Sequence, residues 1–137
     1  MDNHDDLEEG TVLSLDFSKI SQIGKADYPV VPVVVQDSES GEVLIVAYAN
    51  EEALRETLRR KEAVFYSTSR NEIWHKGATS GDTLALVEVR VNCEQNSLLY
   101  LVHPEGQGAC HTNHDDGTTR SSCYYRRITS ANDLRFV

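Results

Sequence analysis

The sequence predicts an α+β fold with a largely antiparallel or mixed sheet and one or two short helices. Runs rich in β-branched and aromatic residues outnumber the segments with helical periodicity, and the connections between these runs are short. The length of 137 residues is that of one domain large enough to bury a hydrophobic core.

The chain is predicted to begin with an acidic, flexible tail over residues 1–13, followed by a single domain over residues 14–137. Residues 1–10 contain almost no apolar side chains, which is typical of a solvated or frayed terminus. Their acidic residues are Asp2, Asp5, Asp6, Glu8 and Glu9.

The next segment predicts a β-hairpin. Two β-branched runs, at 29–35 and 43–49, flank a turn-forming stretch at 37–42. Because proline lacks an amide hydrogen, Pro29 and Pro32 predict that the first strand lies at a sheet edge or begins after Pro32.

A helix of about ten residues is predicted to follow the hairpin. Asn50 is its expected N-cap, residues 59–61 mark its end, and Ala53, Leu54 and Leu58 form its apolar face. Further strands are predicted at 63–67, 83–91, 98–102 and 123–128.

Charge and cysteine content exclude several classes of function. The formal net charge of −9 repels nucleic-acid backbones, although a local basic pocket can still bind one small phosphorylated ligand. No apolar run approaches the roughly 20 residues of a membrane span, and the acidic N-terminus lacks signal-peptide features. We therefore expect a cytoplasmic protein whose three cysteines are reduced.

One short segment combines two cysteines, Cys110 and Cys123, with two histidines, His111 and His114. Thiolate and imidazole are the donors that zinc prefers. Cys110 and Cys123 are 13 positions apart and Cys93 lies 17 before Cys110, so the close cysteine pairs of a structural zinc ribbon are missing. Three protein ligands with an open fourth position are typical of a catalytic zinc; small buried hydrophobic cysteines are the alternative.

His111 has two open roles. It could be a fourth metal ligand, or a general acid and base beside the metal, since imidazole titrates near neutral pH. The neighbouring His114, Asp115 and Asp116 precede Gly117 and are interpreted as an exposed polar turn.

Oxygen donors flank Cys93. Asn92, Glu94 and Asn96 occupy alternate positions, which share one face of an extended strand and could converge on magnesium. Only Glu94 is charged, so a polar strand end is the alternative interpretation.

The segment 69–81 carries donors suited to a phosphorylated ligand. These donors are Arg70, Lys76, Thr79 and Ser80. Gly77 and Gly81 allow close backbone approach, and Trp74 could stack on a base. The spacing matches no nucleotide-binding fingerprint, so an ordinary polar loop is the alternative.

Several separated motifs together resemble the phosphoribosyl-AMP cyclohydrolases, the histidine-biosynthesis enzymes that open the adenine ring of their substrate. The resemblance covers roughly residues 14–128. Its motifs are Pro32-Val-Val-Val-Gln-Asp37, Ala47-Tyr-Ala-Asn50, Ser69-Arg70, Trp74-x-Lys-Gly-x-Thr-Ser-Gly81, Cys93, Ala109-Cys-His-Thr112 and Ser122-Cys-Tyr-Tyr-Arg126.

The resemblance implies an intertwined homodimer with one zinc ion per subunit at the interface, bound by Cys110 and Cys123 of one chain and Cys93 of the partner subunit. It also implies hydrolysis of the N1–C6 bond of N1-(5-phosphoribosyl)-AMP, and His111 is our candidate for the proton transfer in this reaction. The residues assigned to substrate binding are Arg70, Trp74, Lys76, Thr79 and Ser80.

Two departures from the family pattern are visible. Where the family has Asp-Cys-Asp-x-Asp as magnesium ligands, this chain has Asn92, Glu94 and Asn96, so the implied magnesium site is altered. The family's Cys-His-Thr-Gly-x-x-Ser-Cys is lengthened and has Asn113 in place of glycine; the added residues 114–116 could replace the missing carboxylates.

Two other functions are compatible with the sequence. One is a diverged relative that hydrolyses another purine nucleotide. The other is a non-catalytic, zinc-stabilised binding module in which His111 completes a four-ligand site.

Overall fold

Two compact units make up the protein in the computed structural model, which describes residues 3–137. The larger unit is Tyr28–Cys123, and the smaller one combines the segment that ends at Asp27 with Tyr124–Val137. The elements in chain order are α1 (Asn3–Glu9), α2 (Lys19–Ala26), β1 (Val31–Asp37), β2 (Val43–Ala49), α3 (Glu51–Arg60), β3 (Val64–Ser67), β4 (Glu72–His75), β5 (Leu84–Val91), β6 (Leu98–Pro104), β7 (Arg126–Ile128) and β8 (Leu134–Phe136). Among these residues, no helix has the length and apolar character needed to cross a membrane.

The larger unit is built on a four-stranded sheet with the order β2-β1-β6-β5. The β1–β2 and β5–β6 pairs are antiparallel, whereas β1 and β6 run parallel. The strands β3 and β4 form a separate antiparallel pair. The predicted α+β class with a mixed sheet is therefore confirmed.

The predicted β1–β2 hairpin is confirmed. The prediction that β1 lies at a sheet edge or begins after Pro32 is wrong in both alternatives, because β1 begins at Val31 and is an inner strand. β1 lies between β2 and β6. The register with β6 begins only at Val33, one residue after Pro32. The missing amide hydrogen of Pro32 therefore removes no hydrogen bond from the β1–β6 ladder.

The three strands predicted between residues 63 and 102 correspond to β3, β5 and β6. Two short strands, β4 and β8, were not predicted. The strand expected over residues 123–128 is shorter than predicted, because β7 pairs only with the three residues of β8.

The described residues form three helices, one more than the sequence predicts. α1 occupies much of the stretch expected to be frayed, and its first turn carries Asp5 and Asp6, whose carboxylates stabilise the positive end of a helix dipole. Asp2 lies outside the described residues, and both the flexibility of the tail and its boundary at residue 13 stay predictions.

α3 begins and ends as predicted, but only part of its predicted apolar face is buried. The Asn50 side chain accepts a hydrogen bond from the Ala53 amide at 2.8 Å, which confirms the N-cap. Ala53 and Thr57 are buried, whereas Leu58 is 47% exposed, so its place on the buried face was wrong. Thr57 tolerates burial because its hydroxyl donates to the carbonyls of Ala53 (2.9 Å) or Val64 (3.0 Å) and accepts from the Val64 amide (3.0 Å).

The core of the larger unit extends to the aromatic residue of the 69–81 segment. The Phe65 ring is fully buried, stacks on Tyr100 with a centroid separation of 5.9 Å and contacts Trp74 at 5.5 Å. Trp74 is thus held on β4 by core packing.

Arg126 holds the smaller unit together. Its guanidinium donates to the carbonyls of Gly10 (2.9 Å) and Leu7 (2.5 Å) near the end of α1. It also lies over the rings of Tyr125 and Phe136, 5.1 and 5.9 Å from their centroids. A cation at the carbonyl end of a helix is favourable for the helix dipole.

Replacing Thr57 with valine should destabilise the larger unit by about 1–3 kcal/mol, because the buried Val64 amide would lose its hydroxyl acceptor. Urea denaturation at fixed protein concentration measures the effect. Thr57→Ser keeps the hydroxyl and should cost less than Thr57→Val, and Leu58→Ala at the exposed position should change stability by about 0.5 kcal/mol or less. Equal losses for the valine and serine variants would contradict the role of the hydroxyl.

Candidate active site

A hairpin formed by residues 109–121 brings Cys110 close to Cys123. The amides that close its base donate as follows: Ala109 to the carbonyl of Ser121 (3.1 Å), Cys110 to that of Arg120 (3.2 Å) and Arg120 to that of Thr112 (3.1 Å). The residues between the two arms project as a tip. A spacing of 13 positions therefore still leaves the two thiols adjacent.

The second arm of this hairpin is anchored to β2. The Cys123 amide donates to the Leu44 carbonyl at 2.8 Å, and the Ser122 hydroxyl donates to the carbonyl of the first β2 residue, also at 2.8 Å. A side chain at Gly108 would place its Cβ 2.3 Å from the Arg120 carbonyl oxygen. The arms can approach this closely only because residue 108 is glycine.

The surroundings of Cys110 favour the thiolate form of its side chain. This residue is 3% exposed, and its Sγ lies 3.0 Å from the Thr112 hydroxyl. A hydrogen bond from the Cys123 thiol is the largest cause that lowers the pKa of Cys110. Thr112 and the nearby His111 lower this pKa further, whereas burial raises it. The resulting pKa of Cys110 is about 5. The thiolate is the form that binds metal ions.

A cavity of about 440 Å³ lies beside Cys110 and His111. Its walls come from two segments, residues 70–82 and residues 110–119. The lining includes all five residues predicted to bind substrate: Arg70, Trp74, Lys76, Thr79 and Ser80. The structure brings these residues together with Cys110 and His111, and their individual roles stay predictions.

The cavity also contains residues that sequence reasoning missed. Asp82 and Thr119 carry no motif signature. Asp82 ends the loop that follows Lys76, and Thr119 reaches the cavity because it pairs with Asn113 across the hairpin. His75 was hidden inside a segment interpreted as a loop. It ends β4, and its Nε2 lies 2.8 Å from Glu62 Oε1, so a carboxylate orients the imidazole ring.

Lys76 is buried, unlike an ordinary phosphate-binding lysine. It is 6% exposed, and its Nζ donates to the Asp82 carbonyl at 3.3 Å. Burial lowers the pKa of Lys76, while the charges of Asp82, Cys123 and Cys110 act to raise it. The ammonium group therefore interacts electrostatically with both thiols as well as facing the cavity.

The loop after Lys76 is tight. Gly77 has a φ of 80°, and a side chain there would meet the backbone of residues 82 and 83 at 2.3 Å. The Gly81 amide donates to the Gly77 carbonyl at 2.8 Å, and the Asp82 amide donates to the Ser80 hydroxyl at 3.2 Å. The geometry of this loop holds the hydroxyl of Ser80 at the cavity wall.

The stretch around Cys93 is a turn between β5 and β6, so the expected extended backbone was wrong. Gln95 has a φ of 55°, and the Asn92 side-chain oxygen accepts from the amides of Asn96 (2.9 Å) and Ser97 (2.9 Å). The side chains of Asn92, Glu94 and Asn96 are further linked by hydrogen bonds at 2.6 and 3.3 Å. These amide and carboxylate oxygens make hydrogen bonds within the turn, and magnesium binding by them stays a prediction.

The lengthened loop forms the exposed polar turn that was expected at residues 114–116. The His114 amide donates to the Thr118 carbonyl at 2.8 Å. The Asp116 carboxylate accepts from the Thr118 amide (2.9 Å) and hydroxyl (2.6 Å). Asp116 therefore stabilises the turn, and its use as a replacement magnesium ligand stays a prediction.

Residues 45–125, which include the whole cavity lining, match the family model for phosphoribosyl-AMP cyclohydrolase. The chain is also 51% identical to the phosphoribosyl-AMP cyclohydrolase of Haloarcula marismortui over 98 residues, which cover 72% of this chain and 76% of that protein. The chain belongs to the phosphoribosyl-AMP cyclohydrolase family. It is thus a hydrolase of histidine biosynthesis.

Other relatives agree with this assignment. The phosphoribosyl-AMP cyclohydrolase of Halobacterium salinarum is 43% identical over 122 residues, which cover 89% of this chain and 88% of that protein. The histidine biosynthesis bifunctional protein HisIE of Thermus thermophilus is 47% identical over 108 residues, which cover 78% of this chain but only 47% of that protein. The cyclohydrolase similarity thus spans most of this chain and about half of the bifunctional relative.

The thiols that this chain brings together are of the type that binds zinc, but there are fewer of them than a zinc site needs. Cys110 and Cys123 are adjacent thiols, yet across residues 3–137 no three His, Cys, Asp or Glu side chains are grouped to hold a metal ion. Cys93 is exposed in the β5–β6 turn and is not part of the cavity lining. None of the three cysteines is in a disulfide bond.

The low pKa of Cys110 predicts a thiolate in the metal-free protein at neutral pH. Titration of thiolate absorbance near 240 nm should show one group with a midpoint near pH 5, thiolate above it and thiol below it. Cys123→Ala removes the donor that lowers this pKa most, so the midpoint should rise. Cys93→Ala should leave it unchanged, and an unchanged midpoint in Cys123→Ala would contradict the pairing of the two thiols.

Proposed function

We propose that this protein opens the adenine ring of N1-(5-phosphoribosyl)-AMP at the N1–C6 bond, using zinc held between two subunits. The observation that carries the proposal is the common cavity. It places the thiol of Cys110 and the imidazole of His111 against a wall of cationic, hydroxyl and aromatic side chains.

The 70–82 wall supplies the groups that a phosphorylated purine requires. Arg70 is exposed, and its Nε lies 3.6 Å from Glu72 Oε1, so its guanidinium can still turn toward a phosphate. The hydroxyls of Thr79 and Ser80 add neutral donors. Trp74, fixed on its inner side by Phe65, offers its remaining surface to the base.

The metal site requires a third thiolate that one chain does not supply next to the cavity. Cys93 of the partner subunit is the proposed third ligand, which makes the protein a homodimer with two equivalent sites. Zinc bound in this way would activate water for attack on the purine ring. Magnesium is left out of the proposal, because the oxygens of Asn92, Glu94 and Asn96 are engaged in their own turn.

His111 is the proposed proton carrier. The oxygen of the attacking water bonds to C6 and its proton passes to the imidazole of His111. The tetrahedral carbon then collapses and the N1–C6 bond breaks, and the proton held by His111 is delivered to N1. The remaining hydroxyl proton is released to solvent as C6 becomes the carbonyl carbon of a carboxamide, which neutralises the positive charge of the N1-substituted 6-amino ring. An imidazole that lines the cavity two positions from Asn113 and next to Cys110 is suited to both transfers.

The function is tested by following ring opening of N1-(5-phosphoribosyl)-AMP with zinc-loaded protein. His111→Ala should lower kcat by a factor of about 10²–10⁴ and retain zinc, because the imidazole carries protons and binds no metal. His114→Ala, at the exposed turn, is the matched control and should keep full activity.

The alternatives predict other outcomes. Zinc loss in His111→Ala, with a centre saturated by three cysteines and one histidine, would support the binding module. Failure to open this substrate while another purine nucleotide is hydrolysed would support a diverged relative.

Complementation between two inactive variants tests the intersubunit site. Hybrids of Cys93→Ala and Cys110→Ala chains, purified through two different affinity tags, contain one intact site if the ligands come from both subunits. They should bind one zinc per dimer and recover about half of the wild-type turnover. If all three cysteines came from one chain, the hybrids would contain no intact site and would stay inactive.

A further inference from the structure

Two residues at the base of the added turn face the substrate cavity. Asn113 and Thr119 form an isolated β-bridge with each other, and both line the cavity beside His111. The lengthened loop is thus one wall of the site, opposite the loop of residues 77–82. Neither residue has a role in the proton transfers or in metal binding.

We propose that Asn113 contacts the purine base of the substrate and that Asn113 and Thr119, at the base of the added turn, form a specificity-determining wall. This inference rests on the proposed function, since it names a contact in the same cavity. The ligand class is a purine nucleotide, recognised through its ring edge.

The chemistry of the wall favours the base over the phosphates. The carboxylates of Asp115 and Asp116 lie in the exposed turn, whereas the residues that line the cavity, Asn113 and Thr119, are uncharged. Cations lie in the opposite wall, at Arg70 and Lys76. A substrate with its phosphates at the cations therefore presents the edge of its base to the amide.

An amide is the side chain that matches adenine. It offers one donor and one acceptor, as the adenine edge does with its exocyclic amino group and N7. Within the described structure the Asn113 side chain makes no hydrogen bond, so its donor and acceptor are available to a ligand. Asn113 lies two positions from His111 on the same arm of the hairpin, and His111 is the proposed proton carrier for the reaction at C6. The Asn113 amide is therefore expected near the amino group that C6 carries.

The wall is fixed relative to the opposite loop. The Gln107 side-chain oxygen accepts from the amide and hydroxyl of Thr119 at 3.4 and 3.5 Å. The amide of Gln107 in turn donates to the Asp82 carboxylate at 2.9 Å. Asp82 ends the loop of residues 77–82 in the opposite wall. The hydrogen bonds of Gln107 therefore link the two walls and fix the distance between them.

The test compares Asn113→Ala with Asp115→Asn, a change in the exposed turn. Asn113→Ala should raise KM for N1-(5-phosphoribosyl)-AMP about 3- to 30-fold and change kcat less, as expected for one lost hydrogen bond. Asp115→Asn should match wild type.

Calorimetric binding to the metal-free protein gives a readout that does not require turnover. Asn113→Ala should weaken AMP binding about 3- to 30-fold and leave ribose 5-phosphate binding unchanged, since only AMP carries the base. This result supports the contact even if the wild-type protein fails to open N1-(5-phosphoribosyl)-AMP. Unchanged AMP affinity in Asn113→Ala overturns the inference, and so does an equal loss for AMP and ribose 5-phosphate.

Discussion

The backbone pairing at the base of the 109–121 hairpin is the interaction on which the site depends. Cys110 and Cys123 are 13 positions apart, and an open loop of that length would lose entropy whenever its two thiols met. Hydrogen bonds between the two arms, and from Cys123 to the Leu44 carbonyl, fix that separation as the chain folds. The thiols are therefore adjacent before any metal binds, which is the preorganisation that a functional site requires.

The opposite wall of the cavity is supported by the core through a continuous series of contacts. Thr57 on α3 binds the backbone of Val64. The next residue, Phe65, stacks on Tyr100 and packs against Trp74 with its ring tilted by 50°. The Trp74 ring is thus fixed from behind by residues that never reach the cavity. Changes in the core can alter substrate binding through this series, because close-packed interiors transmit small displacements.

Features that depend on near neighbours could be predicted from the sequence, such as the β1–β2 hairpin and the Asn50 cap of α3. Features decided by distant partners could not. The helical periodicity predicted that Leu58 is buried. Thr57 is buried instead, because its hydroxyl makes hydrogen bonds with the carbonyl and the amide of Val64. Similarly, the motifs identified much of the cavity lining, whereas Asp82 and Thr119 join it only through pairings between loops, which no local pattern encodes.

Electrostatics divides the two cavity cations between two tasks. A protein with a net charge of −9 repels a doubly phosphorylated nucleotide at long range, so binding depends on local positive charge. Lys76 is buried near the two thiols, where the low dielectric strengthens its interaction with them. Arg70 is largely exposed and only loosely paired with Glu72. The charge of Lys76 thus offsets negative charge on the sulfurs of Cys110 and Cys123, and Arg70 is the cation that is more accessible from solvent.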